Sequence, residues 1–183
     1  MLYCVRPMCN GDISQVAEID QEAFPTMWPP ANYQRELGTR LAHYIVAHEL
    51  DTAAEAGGVT ATSEGQHIVG FAGFWMMANE AHITNIAVRK SHRRQGIGEL
   101  LLISMIDLTL ELRAQLITLE VRASNIAAQG LYHKYGLNQL HIRPGYYTDN
   151  KENALVLATE DITSAAFQRR LKRLKKEHAR RWR

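Results

Sequence analysis

Two glycines that open a long apolar-striped segment are the residues whose spacing first suggests chemistry. Gly96 and Gly98 follow an apolar run and a short basic turn, a pattern that predicts strand, loop and helix. Glycine lets the backbone approach a ligand, and N–H groups at a helix start attract anions. Arg93 and Arg94 lie just upstream, so we predict a phosphate or pyrophosphate site. Neither a G-x-x-x-x-G-K-S/T loop nor a G-x-G-x-x-G fingerprint is present, which argues against ATP and NAD as the ligand. A simple tight turn is the alternative to a binding site.

Three polar residues further along the chain stand where a reaction could use them. Glu120 interrupts the apolar strand pattern of 116–121, and a carboxylate there is costly unless it has a task, such as accepting a proton. A structural salt bridge from Glu120 to Arg122 or a lysine is the alternative. Tyr132 can donate a proton or fill the core, and Asn125 can cap a helix or bind a ligand.

Alternating strand and helix patterns must position these residues. Apolar, β-rich runs predict strands at residues 2–6, 42–48, 67–77, 81–89, 116–121, 137–142 and 154–159. Apolar residues at helical spacing predict helices at 13–24, 33–39, 98–113 and 125–135, and one after Thr163. Asp12 and Gln15 predict a capping box before the first helix, and 51–65 predicts a long surface connection. Helices between strands, with one antiparallel hairpin at 67–89, predict a mixed α/β sheet.

Length and charge predict one domain with a basic tail. The 183 residues, 46% of them apolar, suffice for one buried core, so we expect a domain at 1–162 and a helical tail at 163–183. From Arg169 onward there are nine Lys or Arg and one Glu, whereas the rest of the chain carries a net negative charge. Clustered cations are typical of polyanion binding, although a solvated helix face is the alternative. An apolar stripe along the tail, which could dock on the body or on a partner, consists of Phe167, Leu171 and Leu174.

The sequence shows no pattern typical of a membrane, exported or metal-binding protein. No apolar run approaches ~20 residues and no basic segment leads into an apolar core, so we expect a cytoplasmic protein without a membrane span. Cys4 and Cys9 are spaced for neither a disulfide framework nor a metal pair. The eight histidines lack H-x-x-x-H or Cys-His spacing, so no metal is expected.

Four blocks of the sequence together resemble a known enzyme family. The stretch R-R-Q-G-I-G at 93–98 resembles the Q/R-x-x-G-x-G/A loop of the GCN5-related N-acetyltransferase (GNAT) superfamily. L-E-V-R-A-S-N at 119–125, with L-Y-x-x-Y-G-L at 131–137, resembles its ribosomal-protein-alanine (RimI) branch. Blocks at 81–88 and 143–147 fall at the matching places too. The order of the blocks makes this resemblance more specific than the glycine loop alone.

The resemblance implies a fold, a co-substrate and a set of roles. The fold is a single α/β domain with a mixed, mostly antiparallel sheet of six to seven strands and about four flanking helices, plus the basic C-terminal helix. The reaction is direct transfer from acetyl-CoA in a ternary complex, with Glu120 as general base and Tyr132 as general acid. A backbone N–H of the strand at 86–88 would stabilise the oxyanion. The residues implied for coenzyme binding are Ile86, Ala87, Val88, Arg93, Arg94, Gln95, Gly96, Ile97, Gly98, Glu99 and Asn125.

The acceptor implied by the resemblance is the N-terminal amino group of a protein, such as a ribosomal protein. Phe24, Trp28, Tyr146 and Tyr147 are the predicted walls of the peptide site. Relatives continue from the double tyrosine into an acidic turn, whereas Asn153 replaces one acidic residue here, which bears on substrate identity. We expect the basic tail to contact ribosomal RNA. Acetylation of a lysine or small amine is one alternative, and a non-catalytic acyl-CoA-binding module with a nucleic-acid-binding tail is the other.

Overall fold

A computed structural model describes residues 3–24, 30–50 and 66–182, in which seven strands and five α-helices form. The strands are β1 (Tyr3–Pro7), β2 (Ala42–Glu49), β3 (Ile68–Met77), β4 (Glu80–Val88), β5 (Leu116–Arg122), β6 (Asn138–Arg143) and β7 (Ala154–Ala158). The helices are α1 (Ile13–Ala23), α2 (Pro30–Leu37), α3 (Ile97–Glu111), α4 (Ile126–Lys134) and α5 (Ala165–Ala179). The connection predicted at 51–65 lies outside the described residues. None of the helices in the described ranges combines the length and apolar character that crossing a membrane requires.

The strands form one mixed sheet, which confirms the predicted α/β class. Their order is β1-β2-β3-β4-β5-β7-β6. β1 with β2, β5 with β7, and β6 with β7 pair antiparallel, whereas β4 and β5 pair parallel. Ala78 and Asn79 alone join β3 to β4, so these neighbours form the predicted antiparallel hairpin. The sheet is therefore mostly antiparallel.

The parallel ladder between β4 and β5 is shorter than the two strands. Pairing covers 80–83 on β4 and 116–119 on β5, and both strands continue beyond it. Glu120 is the first β5 residue past the ladder. The parallel pairing therefore ends before either strand does.

The first of two compact units contains the described residues up to 73, with 85–105 and 182. Its core is formed by Met8, Val16, Ile19, Tyr33, Ala42, Tyr44, Val46, Ile68, Phe71 and Ala87. Tyr33 packs edge-on against both Tyr44 and Phe71. Gly73 gives the Tyr44 ring its place, because a Cβ on residue 73 would lie 2.2 Å from Tyr44 Cε1. A glycine inside a strand is explained here by close packing.

The capping box predicted from Asp12 and Gln15 is wrong. The Asp12 carboxylate instead receives two hydrogen bonds from Arg6, at 2.7 and 2.8 Å, and one from the Cys9 N–H at 2.9 Å. Gln15 turns toward β3, where its Oε1 accepts a bond from Ile68 N at 2.9 Å. A bidentate bond to a guanidinium is stronger than a neutral cap, so the distant partner prevails over the local one.

The second unit contains residues 74–84 and 106–181, and the basic helix α5 packs within it. Phe167, Leu171 and Leu174 are buried, and Lys175 forms an ion pair with Asp107. The apolar stripe therefore docks on the protein's own body, one of the two alternatives that the sequence left open. The boundary at residue 163 stays a prediction.

Candidate active site

The turn between β4 and α3 has the conformation that its glycines suggest. Arg89 anchors the start of the turn, since its Nη2 donates to Glu18 Oε2 at 2.8 Å. Arg94 and Gly96 adopt left-handed backbone conformations, with φ of 64° and 87°, and glycine does so without strain. α3 begins at Ile97, so the N–H groups of its first turn follow directly after these two residues.

Side chains of this turn divide between holding it and facing outward. Arg93 Nε donates to the Val88 carbonyl at 3.2 Å, and Gln95 Oε1 accepts a bond from the Tyr3 hydroxyl at 2.7 Å. Arg94 is exposed. An exposed guanidinium beside the N–H groups of a helix start has the properties that a diphosphate group requires.

A carboxylate and two histidines converge near this turn, within the first unit. Glu49 Oε2 lies 2.9 Å from His67 Nδ1, and Glu49 Oε1 lies 3.3 Å from His92 Nε2. The hydrogen bond to His67 is the main cause that lowers the pKa of Glu49, and His92 adds to it. The three sets of ligand atoms lie within 4.8 Å of one another, so a metal ion could bridge them, although the Glu–His hydrogen bonds account for the group without one. Histidine spacing along the chain did not predict this meeting.

Glu120 is the carboxylate on which polar side chains of the second unit converge. Its side chain is 10% exposed, with His82 Nε2 at 2.9 Å from Oε2 and Arg143 Nη1 at 2.8 Å from Oε1. The hydrogen bond to His82 is the main cause that lowers the pKa of Glu120. Burial opposes this shift, and the charges of His82 and Arg143 add to it. The carboxylate is therefore ionised at neutral pH and is able to accept a proton.

His82 extends the contacts of Glu120 along the sheet. Its Nδ1 lies 2.9 Å from Thr118 Oγ1, and the Thr118 hydroxyl donates to Glu80 Oε1 at 2.6 Å. His82 and Thr118 stand opposite each other in the parallel ladder. The strand register therefore sets the spacing of this group.

The salt bridge from Glu120 to Arg122, an alternative left open by the sequence, does not form. Arg122 Nη2 lies 2.8 Å from Asp149 Oδ2, and its Nη1 lies 3.1 Å from Glu152 Oε2. The guanidinium also lies 3.9 Å from the ring centroid of Tyr147. Two carboxylates of the turn between β6 and β7 thus hold Arg122, whereas Glu120 pairs with residues from β4 and β6.

The turn after the double tyrosine is closed by Glu152 and Asn153. Glu152 Oε1 accepts a bond from the Ser124 N–H at 2.7 Å, and bonding to Ser124 is the main cause that lowers the pKa of Glu152 to about 2. Asn153 Oδ1 accepts a bond from the Gly145 N–H at 2.9 Å. Asn153, which departs from the acidic pattern of the relatives, therefore has a structural contact of its own.

Tyr132 is buried on α4, and Tyr147 interacts electrostatically with both Tyr132 and Glu120. Burial is the main cause that raises the pKa of Tyr132, and Tyr147 adds to the shift. Burial also raises the pKa of Tyr147 to about 12, and the charge of Glu120 contributes. Tyr147 thus lies within electrostatic reach of both predicted catalytic residues. Tyr132 keeps its proton at neutral pH, as a proton donor must.

Of three further predicted site residues, two have contacts within the protein and the third lies outside the described residues. Asn125 caps α4, because its Oδ1 accepts a bond from Ala128 N at 3.2 Å, and its contact with the coenzyme stays a prediction. Phe24 packs, partly buried, against the core of the first unit. Trp28 lies outside the described residues.

Sequence reasoning missed His82 and Arg143, the two residues that hold Glu120. The sequence does give a sign of His82, because side chains alternate between the two faces of a strand and His82 is a polar residue on the less buried face of β4. Arg143 lies in the family block at 143–147, but nothing in the sequence indicates a contact with Glu120, because it is one cation on a strand whose six residues are all exposed. Its contact depends on β7 lying between β5 and β6.

Comparison with known proteins identifies the class of this fold and site. The sequence profile of the acetyltransferase (GNAT) family matches residues 13–137, and the chain belongs to that family. It is therefore an acyltransferase, which confirms the resemblance seen in the sequence.

Two relatives and one solved structure narrow the comparison. A Bacillus subtilis protein, provisionally named a ribosomal protein bS18-alanine N-acetyltransferase, is 38% identical over 154 residues, which cover 84% of this chain and 92% of the relative. The ribosomal protein bS18-alanine N-acetyltransferase of Escherichia coli K12 is 32% identical over 149 residues, covering 80% and 90%. The crystal structure of the ribosomal-protein-S18-alanine N-acetyltransferase from Escherichia coli matches with a TM-score of 0.73 at 28% identity, covering 90% of this chain and 96% of that one.

Proposed function

We propose that this chain transfers the acetyl group of acetyl-CoA to the N-terminal α-amino group of a ribosomal protein, by direct attack in a ternary complex. The observation that carries the proposal is the similarity, at 38% and 32% identity over at least four fifths of the chain, to two relatives named for alanine N-acetylation of bS18. A ribosomal acceptor makes the cytoplasm the place of the reaction. We expect no covalent acyl-enzyme, since Cys4 and Cys9 lie outside the blocks shared with the family.

The amine must become a nucleophile before it can attack a thioester. An α-ammonium group, with an ordinary pKa near ~8, has to lose a proton, and we assign that proton to Glu120. Its ionised and mostly buried carboxylate is held from two sides at the first β5 position past the ladder. We assign the oxyanion to an N–H group of residues 86–88, the role that the resemblance to the family implies.

The leaving group must gain a proton, and we assign this step to Tyr132. Departure of coenzyme A breaks the carbon–sulfur bond and leaves a thiolate, which takes the phenolic hydrogen. The second hydrogen that the attacking nitrogen loses then restores the phenol. Burial keeps the phenol of Tyr132 protonated at neutral pH, so the hydroxyl hydrogen is present when the thiolate forms. The diphosphate of the coenzyme would be held by the first-turn N–H groups of α3 and by the exposed Arg94.

The assignment is tested with purified protein, acetyl-CoA and three acceptors. The first is a peptide with the alanine-initiated N-terminus of bS18, the second is the same peptide with a blocked N-terminus and an internal lysine, and the third is spermidine. Acetylation of the first alone, read by mass spectrometry, is the expected result. Acetylation of the second or third would favour a lysine or small-amine enzyme. Acetyl-CoA binding by calorimetry without transfer to any acceptor would favour a non-catalytic module.

The role of Glu120 is tested by Glu120→Gln. Loss of the proton acceptor is expected to lower kcat by about 10²–10⁴-fold, the usual worth of general base catalysis, with the KM for acetyl-CoA nearly unchanged. Glu111→Gln, at the exposed end of α3, is the matched control. Full activity of Glu120→Gln would remove the base assignment.

We also propose that the outer face of α5 contacts ribosomal RNA. The apolar stripe of this helix is buried, whereas its cations Arg169, Lys172 and Lys176 are exposed on the other side. A Lys172→Gln/Lys176→Gln variant is expected to bind ribosomal subunits more weakly, and the salt slope should fall by about one for each phosphate that is no longer neutralised. Lys134→Gln/Lys151→Gln removes two exposed lysines outside α5 and is the control. Equal salt dependence in both variants would exclude this mode of RNA binding.

A further inference from the structure

Glu120, His82, Thr118 and Glu80 form a continuous hydrogen-bonded row, called here the carboxylate row. The distances along it are 2.9 Å from Glu120 Oε2 to His82 Nε2, 2.9 Å from His82 Nδ1 to Thr118 Oγ1, and 2.6 Å from Thr118 Oγ1 to Glu80 Oε1. The row begins at a side chain that is 10% exposed and ends at Glu80, the first residue of β4. The row therefore runs from the assigned proton acceptor to the residue that follows the turn between β3 and β4.

The hydrogen atoms along the row follow from what each group can donate. Thr118 has one hydroxyl hydrogen, which it donates to Glu80. Thr118 Oγ1 must then accept from His82, so Nδ1 of the imidazole carries a hydrogen. The 2.9 Å contact between Nε2 and the Glu120 carboxylate also needs a hydrogen between the two atoms. With these hydrogen bonds formed, His82 and Glu120 together hold two hydrogens. A neutral imidazole beside an ionised carboxylate holds one.

We propose that His82 and Glu120 act as one proton acceptor, and that the proton leaves through Thr118 to Glu80. This inference rests on the proposed function and deepens it. The reactive form has the carboxylate ionised and His82 neutral, with its hydrogen on Nδ1. Glu120 takes a proton from the acceptor's ammonium group, so that an N–H bond breaks and an O–H bond forms.

The proton then moves along the row because each group gives up one hydrogen as it takes up another. The O–H bond of Glu120 breaks as the Nε2–H bond of His82 forms. The Nδ1–H bond breaks as a new Oγ1–H bond forms on Thr118, and the former Thr118 hydrogen passes to Glu80, which releases it to solvent. Acetyl transfer from a thioester to an ammonium group yields an amide, a thiol and one free proton, and this row carries that proton away.

The surroundings of Glu120 explain why the carboxylate needs a partner. His82 and Arg143 both stabilise the ionised form of Glu120. The carboxylate acting by itself is therefore a weak base toward an ammonium group. An imidazole can accept a proton at one ring nitrogen and release one from the other, so His82 can pass on the proton that Glu120 takes up. The charged and titratable groups that face the pair are Glu80 from β4, Arg143 from β6 and Tyr147 from the turn after β6.

The test compares His82→Gln with the unchanged enzyme over a range of pH. Glutamine can still donate a hydrogen bond to Glu120, but its amide cannot take up and release a proton. The expected result is a fall in kcat/KM for the bS18 peptide of about tenfold or more at neutral pH, with the KM for acetyl-CoA unchanged. Without the pair, activity should depend on the fraction of acceptor that is already a free amine, so the rise in kcat/KM should move toward the pKa of that amine, near ~8. An unchanged profile in an active, folded His82→Gln variant would overturn the proposal.

A second pair of variants separates proton transfer from structural support. Thr118→Val keeps the shape of the side chain and removes the hydroxyl, so it should lower kcat and leave the KM for the peptide intact. His82→Ala should regain activity when imidazole is added, whereas a purely structural histidine would give no rescue. Full kcat in Thr118→Val would exclude this exit. Failure of the unchanged enzyme to acetylate any amine would instead refute the proposed function.

Discussion

Arg143 Nη1 lies 2.8 Å from Glu120 Oε1, although the arginine side chain is 49% exposed and the glutamate 10%. The arginine reaches Glu120 from β6, and its guanidinium lies 5.5 Å from the Tyr146 ring centroid. His82 holds the other oxygen from β4. A cation therefore already occupies one oxygen of the carboxylate to which we assign the amine's proton.

Replacement of Arg143 should make the acceptor bind more readily. In Arg143→Gln the ammonium group no longer competes with a guanidinium for Oε1, so we expect a lower KM for the peptide. The gain should be at most about fivefold, since a partly exposed ion pair is worth up to about 1 kcal/mol. Steady-state kinetics at several peptide concentrations measures the change, with Arg169→Gln on α5 as the control. A higher KM would mean that Arg143 recruits the acceptor.

Removal of the Tyr132 hydroxyl should affect turnover far more than stability. Tyr132→Phe retains the buried ring, so the free energy of unfolding should change by no more than about 1.5 kcal/mol, the net worth of one hydrogen bond. kcat should fall by about 10²-fold, because the thiolate departs without a proton donor. Tyr135→Phe, another buried ring close by in the sequence, is the control. Equal kcat in the two variants would contradict the role as general acid.

Two glycine-to-alanine changes should shift stability in opposite directions. Gly73→Ala places a Cβ 2.2 Å from the Tyr44 ring and should destabilise the fold by about 1–3 kcal/mol, the usual cost of overpacking. Gly130→Ala lies inside α4 with nothing within 4 Å of the new Cβ, and should stabilise by roughly 0.5–1 kcal/mol. Urea unfolding of both variants measures this. A Gly73→Ala variant as stable as the unchanged chain would refute the packing argument.

The contribution of Glu152 to stability should depend on pH in a defined window. Its pKa in the folded chain is about 2, below the ordinary 4.5, so its bonds stabilise the fold above pH 4.5. This stability is lost as the pH falls from 4.5 toward 2. The melting temperature should therefore exceed that of Glu152→Gln at neutral pH, and the difference should vanish near pH 2. Ser124→Ala removes the hydroxyl that contributes most to this shift and keeps the backbone N–H, so its melting temperature should show a smaller loss over the same pH range.

Sequence reasoning succeeds where the signal is local. Around the glycine turn the sequence predicts a strand at 81–89 and a helix at 98–113, and these elements form at Glu80–Val88 and Ile97–Glu111. Alternation and helical spacing depend only on near neighbours, so they can be read along the chain. The exposed cations and buried stripe of α5 follow from the same kind of pattern.

Contacts between distant segments could not be predicted in this way. Asp12 has a local pattern for capping, but Arg6 on β1 captures its carboxylate. Glu120 meets His82 and Arg143 only because the strand order brings β4 and β6 to the two sides of β5 and β7. Partner choice of this kind is decided by tertiary packing, and no single segment encodes it.

The α5 helix has one face committed to the body and another whose cations point to solvent. Substitutions on the outer face leave the buried stripe intact, so the charge of this surface can change while the helix stays packed. The net charge of the helix and its attachment to the body are, in this architecture, separately adjustable.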